Sequence, residues 1–289
     1  MKKIFSILII SQALLSCETT IDFEIPREDP KITIDTRIMA GDSLRAFIGT
    51  SEYVLSPKNP KLDGKATVYL YENGAKVAEL KPRLFSIFNA NDSIFYYRTD
   101  YIPKAQQVYK LEVSRPGFNT ATGQTVVKAP VSVSGVTFDT SSYRVNLTFT
   151  DPSGNGDYYR VASYYYINNR QFSLYISSTD RAIDFIDGFE DDPFSSNEES
   201  GGEYGYISDE YFDGKSKRIT VKINEGQLLP ADSLFFEISR INEDFYLHEK
   251  SKAASRVSDG FFSEPVQIYN NIKNGYGIVA GGSPLRIKL

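Results

Sequence analysis

The chain has no tryptophan, one cysteine, one histidine and two methionines in 289 residues, and each shortage removes a class of function. A single thiol rules out a disulfide framework and a thiolate zinc cage, and a single imidazole rules out the common His-rich catalytic zinc sites. Basic residues are outnumbered: 32 Lys and Arg face 37 Asp and Glu, a formal net charge of −5. Without a cationic footprint for phosphate backbones, nucleic acid is not an expected partner. Long apolar runs are scarce too. The run Ile4–Leu15 is about a dozen residues, whereas a helix needs roughly 20 to cross the hydrocarbon of a bilayer. There is no repeat of fixed period.

Apolar and aromatic content is ample. Hydrophobic residues make up 41% and aromatics 13%, supplied by 20 Tyr and 19 Phe, enough for a sizeable core. Lys2 and Lys3 followed by the short apolar run read as an export signal over residues 1–16. Its end, Leu14-Leu15-Ser16-Cys17, resembles a bacterial lipobox, which implies acylation of Cys17. That would explain a lone thiol in an exported chain, since a thioether cannot enter stray disulfides. Several acyl chains at about 0.8 kcal/mol per buried CH₂ make such an anchor permanent. Residues 17–30, polar and acidic with Pro26 and Pro30, form the expected tether. The scattered acids Glu18, Asp22 and Glu24 resemble a surface-export signal.

Beyond the tether the pattern is β, in short Val, Ile, Thr, Tyr and Phe runs between turn residues. Strands are expected at Ile32–Ile38, Leu44–Ile48, Ala66–Tyr71, Val108–Ser114, Arg144–Thr150, Tyr158–Ile167, Phe172–Ser177, Arg218–Ile223 and Leu234–Ser239. The spacing predicts an all-β fold of two β-sandwiches, residues 31–130 and 131–289, with the junction at Val127–Pro130. Asn73-Gly74 between Thr67–Tyr71 and Lys76–Leu80 predicts a type I′ hairpin, which needs positive φ at both turn residues. One helix is expected at about 240–255, capped by Ser239, with Ile241, Phe245 and His248 on one face. Pro265, Val266, Ile268, Ile272, Gly275 and Gly277 predict an ordered loop and a terminal strand. Asn270, Asn271 and Asn274 offer amides to hold that loop.

No constellation announces chemistry. His248 sits beside Glu249 with no nucleophile motif at any serine. The loop Asp151–Asp157 begins like a calcium loop, but Ala162 stands where a bidentate Glu is required, so a turn is the reading. The acidic stretch Asp184–Glu203 reads as a surface loop, its carboxylates in no cage spacing. The Tyr96-Tyr97, Tyr158-Tyr159 and Tyr164-Tyr165-Tyr166 groups could stack on sugars, yet without Trp they read as sandwich packing. No catalytic residue, metal ligand or cofactor is assigned, and the chain reads as a non-enzyme.

Four phrases together are similar to the DUF4249 family of outer-membrane lipoproteins. They are Asp151–Arg160, Ile207–Phe212, Ile238–Tyr246 and Phe262–Ile278, the last being the most specific. Val108–Val113 with Pro116-Gly117, and the Asn73-Gly74 hairpin, resemble the immunoglobulin-like first domain of that family. The resemblance implies an outer-membrane location through acylated Cys17 and association with a SusC-like, TonB-dependent receptor in nutrient capture or uptake. A surface adhesion or matrix-binding module is the alternative. Asp42-Ser43-Leu44, Asp92-Ser93-Ile94 and Asp232-Ser233-Leu234 also resemble a three-residue O-glycosylation signal, which makes Ser43, Ser93 and Ser233 candidate modification sites.

Overall fold

A computed structural model of the chain describes residues 28–53, 56, 63–86, 93–154, 156–168, 170–186, 200–224, 233–257 and 266–289. Cys17, the export signal, most of the tether, Pro265 and residues 187–199 of the acidic stretch lie outside these. Over the described residues the fold is mostly β, with one helix near the C-terminus. Among the described residues no helix is long and apolar enough to cross a membrane.

The first half carries β1 (Ile32–Met39), β2 (Arg45–Thr50), β3 (Thr67–Glu72), β4 (Ala75–Ser86), β5 (Ser93–Arg98), β6 (Gln107–Ser114) and β7 (Ala121–Val127). The second carries β8 (Ser132–Asp139), β9 (Arg144–Thr150), β10 (Tyr158–Ile167), β11 (Arg170–Leu174), β12 (Ile176–Ser178), β13 (Ser200–Gly202), β14 (Tyr204–Ser208), β15 (Ser216–Ile223) and β16 (Ser233–Ile241). The helix α1 (Glu243–Val257) and the strand β17 (Gly275–Lys288) complete the chain.

Each half stacks two layers around its own core. In the first, β4 pairs with β3 up to Leu80 and with β5 from Lys81 onward, so it turns the corner from one layer to the other. Ile32, Ile34, Ala46 and Ile48 from one layer meet Val68, Leu70, Leu111 and Val113 from the other. The predicted hairpin is there: Asn73 and Gly74 have φ of 49° and 86°, the values a type I′ turn requires. In the second half a sheet ordered β13-β12-β15-β9-β8 faces β10, β14 and β16. Val145, Leu147 and Phe149 pack against Tyr159, Val161, Phe236 and Ile238.

One strand joins the halves. From Gly275 to Gly282, β17 runs parallel to β1, and from Gly282 to Lys288 it runs antiparallel to β16. A continuous sheet ordered β11-β10-β16-β17-β1-β2-β5-β4-β3-β6-β7 results. Val279 belongs to the first core, while Leu285 and Ile287 pack on the second.

Two expectations are corrected. The helix does not begin under a Ser239 cap: Ser239 is held in the ladder between Arg160 and Pro284, and the strand continues to Ile241. Asn242, the first residue past the last ladder pair, is the cap; its Oδ1 accepts from Phe245 N at 3.3 Å. Ile241 is therefore a strand residue, and of the expected helical face only Phe245 and His248 lie on α1. The expected strand Phe172–Ser177 is two: the chain breaks at Tyr175, and β11 and β12 join different sheets. Glu243 and Asp244 at the start of α1 and Arg256 at its end oppose the helix dipole as expected.

Candidate functional site

Alternation along β10, β16, β17, β1 and β2 sends side chains such as Arg160, Glu237, Arg286, Arg37 and Phe47 away from the two cores. There a cleft of about 560 Å³ opens, floored by β10, β16, β17, β1 and β2. A second cavity of about 530 Å³ continues it toward α1, sharing Asp35, Arg37, Arg160, Glu203 and Tyr204. The two adjoin and form one groove lined from both halves.

Its floor is a paired charge network. Glu237, 5% exposed, accepts from Arg160 Nη2 at 3.0 Å, from Arg286 Nε at 3.1 Å and from Ser239 Oγ at 2.8 Å. Arg286 also donates to Asp42. At the α1 end Arg37 donates to Glu249 and pairs with Asp35, and Lys252 Nζ reaches Glu249 at 2.6 Å. Burial works against the charges of Arg160, Arg286 and Glu249, and the partner prevails at all three. The Arg160 and Arg286 guanidiniums are held above their ordinary range by Glu237 and Asp42, and the Glu249 carboxyl is held below its own by Arg37. Arg160 is roofed by the Tyr204 and Phe245 rings, 5.0 and 5.4 Å from its guanidinium carbon.

The walls are aromatic. Tyr165 turns into the second core, as packing predicts, but Tyr164 and Tyr166 turn the other way and line the cleft. Tyr164 stacks on Phe235 with centroids 5.5 Å apart, and its hydroxyl is pushed up to about 12 by burial and by the charge of Glu237. Phe47 on the opposite wall is 40% exposed. Arg45 is exposed, and among the described residues it has no ion-pair partner.

The sequence candidates fall elsewhere or at the rim. Ser43 is a half-buried rim residue beside Asp42. Ser93 and Ser233 open β5 and β16; the Ser93 side chain lies outside the described residues, and Ser233 is half-buried. His248 is buried on α1 with Nδ1 2.8 Å from the Tyr269 carbonyl, which fixes Nδ1 as the protonated nitrogen, and burial lowers its basicity. The acidic stretch does not lie wholly in a loop: Asp184 bridges to Tyr206, residues 200–202 form β13, and Glu203 reaches the groove. Asn271 does hold its loop, exchanging two bonds of 2.9 Å with the Val279 backbone.

Asp151, Asp209 and Asp213 bring one carboxylate oxygen each within 4.8 Å of the others, the one such group among the described residues that could hold a cation. Their oxygens already serve the turns. Asp151 accepts from the Tyr159 hydroxyl and from Gly214 N, Asp209 from Gly156 N and Asp157 N, and Asp213 from Gly154 N. Burial raises the affinity of the Asp151 carboxyl for its proton. The groove itself was missed in sequence because Asp42 and Arg286 lie 244 positions apart and no local motif joins them. The one signal was the charged or tyrosine residue at alternate positions of otherwise apolar strands, as at Asp35, Arg37, Arg160 and Glu237.

Comparison with known proteins gives three findings. A family model described as "Domain of unknown function (DUF4249)" matches residues 18–287. A search of curated proteins finds no match. Among solved structures, a titin fragment (Titin-A168169) aligns at 9% identity over 74% of this chain and 92% of its own, with a TM-score of 0.20, too low to carry any argument.

Proposed function

The chain belongs to the DUF4249 family, and from that premise we propose that it is a non-enzymatic accessory lipoprotein of the outer membrane. Acylated Cys17 anchors it, the groove captures a ligand, and a TonB-dependent receptor is the partner that takes the ligand up. The observation that carries this reading is the groove itself: a polar and aromatic depression on the face of the sheet shared by both halves, of the size that small-molecule sites have.

Two further features support it. Glu28, in the described end of the tether, lies close to the groove wall. Glu28 and Lys31 are held by the Tyr276 hydroxyl at 2.7 and 2.9 Å, and Tyr276 lines a small cavity with Asp35 and Phe47 of the groove wall. The stretch back to Cys17 reaches roughly 40 Å when extended, so the groove can turn toward a partner in the same membrane. Against catalysis, Glu237 and Asp42 both serve as acceptors for Arg286. The single imidazole is buried against a backbone carbonyl.

Affinity isolation of the tagged chain from gently solubilised native membranes tests the proposal. A large β-barrel partner should come with it in near-stoichiometric amount, and a chain that runs alone overturns the receptor role. Cys17→Ser should abolish palmitate labelling and membrane pelleting; if both persist, the anchor assignment is wrong.

A further inference from the structure

The chemistry of the groove narrows its ligand. Formal charges lining the main cleft balance: Arg37, Arg45, Arg160 and Arg286 against Asp35, Asp42, Glu203 and Glu237. Most are already paired with one another. Arg45 is the cation of the lining that an ionised ligand group could meet without breaking a pair among the described residues. At the Glu237 floor such a group would have to compete with the buried pairs to Arg160 and Arg286. A hydroxyl faces no such obstacle. It both donates and accepts, so it can use the guanidinium N–H groups and carboxylate lone pairs that the pairing leaves over. The network holds these side chains in fixed orientations before any ligand arrives, which lowers the entropy lost on binding.

The aromatic walls add apolar faces. Phe47 and Tyr166 are partly exposed at the cleft, and rings of this kind cover the C–H face of a sugar as they cover other apolar surface. A peptide is less well served. Added as a strand it would need an open edge. The floor strands β10, β16, β17, β1 and β2 are interior, and the one edge strand at the cleft, β11, contributes only Gln171 and Ser173 to the lining. Two adjoining cavities of about 560 and 530 Å³ with five lining residues in common offer more room than a single ring fills.

We propose that the groove binds an uncharged oligosaccharide, with Phe47 and Tyr166 as stacking platforms and the Arg160–Glu237–Arg286 network as the hydroxyl-reading floor. The assignment rests on the reading of this groove as the capture site of an accessory protein.

Titration calorimetry of the full chain tests it, using neutral hexasaccharides as probes: maltohexaose, cellohexaose, xylohexaose and mannohexaose. Glutamate-rich and lysine-rich hexapeptides and an uncharged hexapeptide serve as comparators. At least one sugar should bind with an affinity that changes less than twofold between low and high salt. Phe47→Ala and Tyr166→Ala should each weaken it tenfold or more, while Tyr211→Ala, at a residue 83% exposed outside the groove, should leave it unchanged. Both groove variants remove surface rings and should keep the far-ultraviolet dichroism of the parent. The proposal is overturned if no sugar binds, if a peptide binds and the sugars do not, or if sugar binding survives both groove variants. Isolation of a barrel partner without sugar binding would remove this assignment and leave the accessory role. Sugar binding without a barrel partner would do the reverse.

Discussion

Gly277→Ala is the substitution that most directly tests the claim that β17 holds the molecule together. Gly277 has φ of 110° and lies opposite Ile34 in the parallel β1·β17 ladder. A Cβ built there lands inside van der Waals contact of the Ile34 carbonyl oxygen. Backbone cannot rotate aside as a flexible side chain can, so one of the two strands must move. Gly74 is the matched control. Its φ is 86° in the β3–β4 hairpin, and a Cβ there meets nothing within 4 Å. Positive φ costs an alanine about 1–2 kcal/mol at either position. Only Gly277→Ala adds the overpacking penalty, about 1–3 kcal/mol, with the rigid neighbour favouring the upper end. The sum is about 4 kcal/mol against about 1.5 kcal/mol for Gly74→Ala. At about 2–4 °C per kcal/mol for chains of this order of size, Tm should fall by about 8–16 °C in one variant and about 3–6 °C in the other. Far-ultraviolet dichroism with tyrosine fluorescence is the readout, since the chain has no tryptophan. Because β17 contributes to both cores, the transition of Gly277→Ala should stay single. The reasoning fails if the two variants differ by less than about 1 kcal/mol.

Three other outcomes follow from named contacts. Glu237→Ala removes the shared partner of Arg160 and Arg286 and should cost about 3 kcal/mol in urea denaturation, whereas Arg45→Ala, at an exposed residue, should change stability by less than about 0.5 kcal/mol. Asn242→Ala leaves the buried Gly281 N without its side-chain acceptor and Phe245 N with only the residue 242 carbonyl, and should cost about 2 kcal/mol. His248 is less basic folded than unfolded because it is buried, with the Arg37 and Lys252 charges acting the same way and the Tyr269 carbonyl and Glu249 acting against. The unfolded chain therefore takes up the proton first. The contribution of His248 is present above its ordinary value of 6.5 and is lost as pH falls toward its depressed folded value. Between pH 7 and pH 5 the urea midpoint should fall less steeply in His248→Gln than in the parent.

The strands that were legible are those where one face meets a core and the other meets water. In β9 the alternation of Val145, Leu147 and Phe149 with Asn146 and Thr148 matches the burial residue by residue, and Asn73-Gly74 states its own turn. Legibility failed where tertiary pairing overrode local preference. Ser239 is a good cap in isolation, but ladders to β10 on one side and β17 on the other keep its residue extended. Strands β7, β8, β13 and β14 are short, polar or glycine-bearing, and their partners, not their composition, make them strands. The Tyr164-Tyr165-Tyr166 triplet was legible as strand but not as site, because which of the three faces a core depends on register.

The groove network also bears on why charged residues stand where apolar ones would fold as well. Buried ion pairs are weak evidence for stability, since well-packed apolar replacements of similar volume are often neutral or better. Glu237 sits between Phe236 and Ile238, on a strand that could have been apolar on both faces. Arg160 and Arg286 project from neighbouring strands to meet it. What that arrangement supplies and an apolar patch could not is orientation: three side chains from three strands fixed by one carboxylate, with donors and acceptors left over at the groove floor. The network also draws on β10, β16 and β17 together, and through Asp42 on the segment between β1 and β2. Its geometry is therefore set only once both halves are joined, and a ligand bound there would in turn favour the joined state.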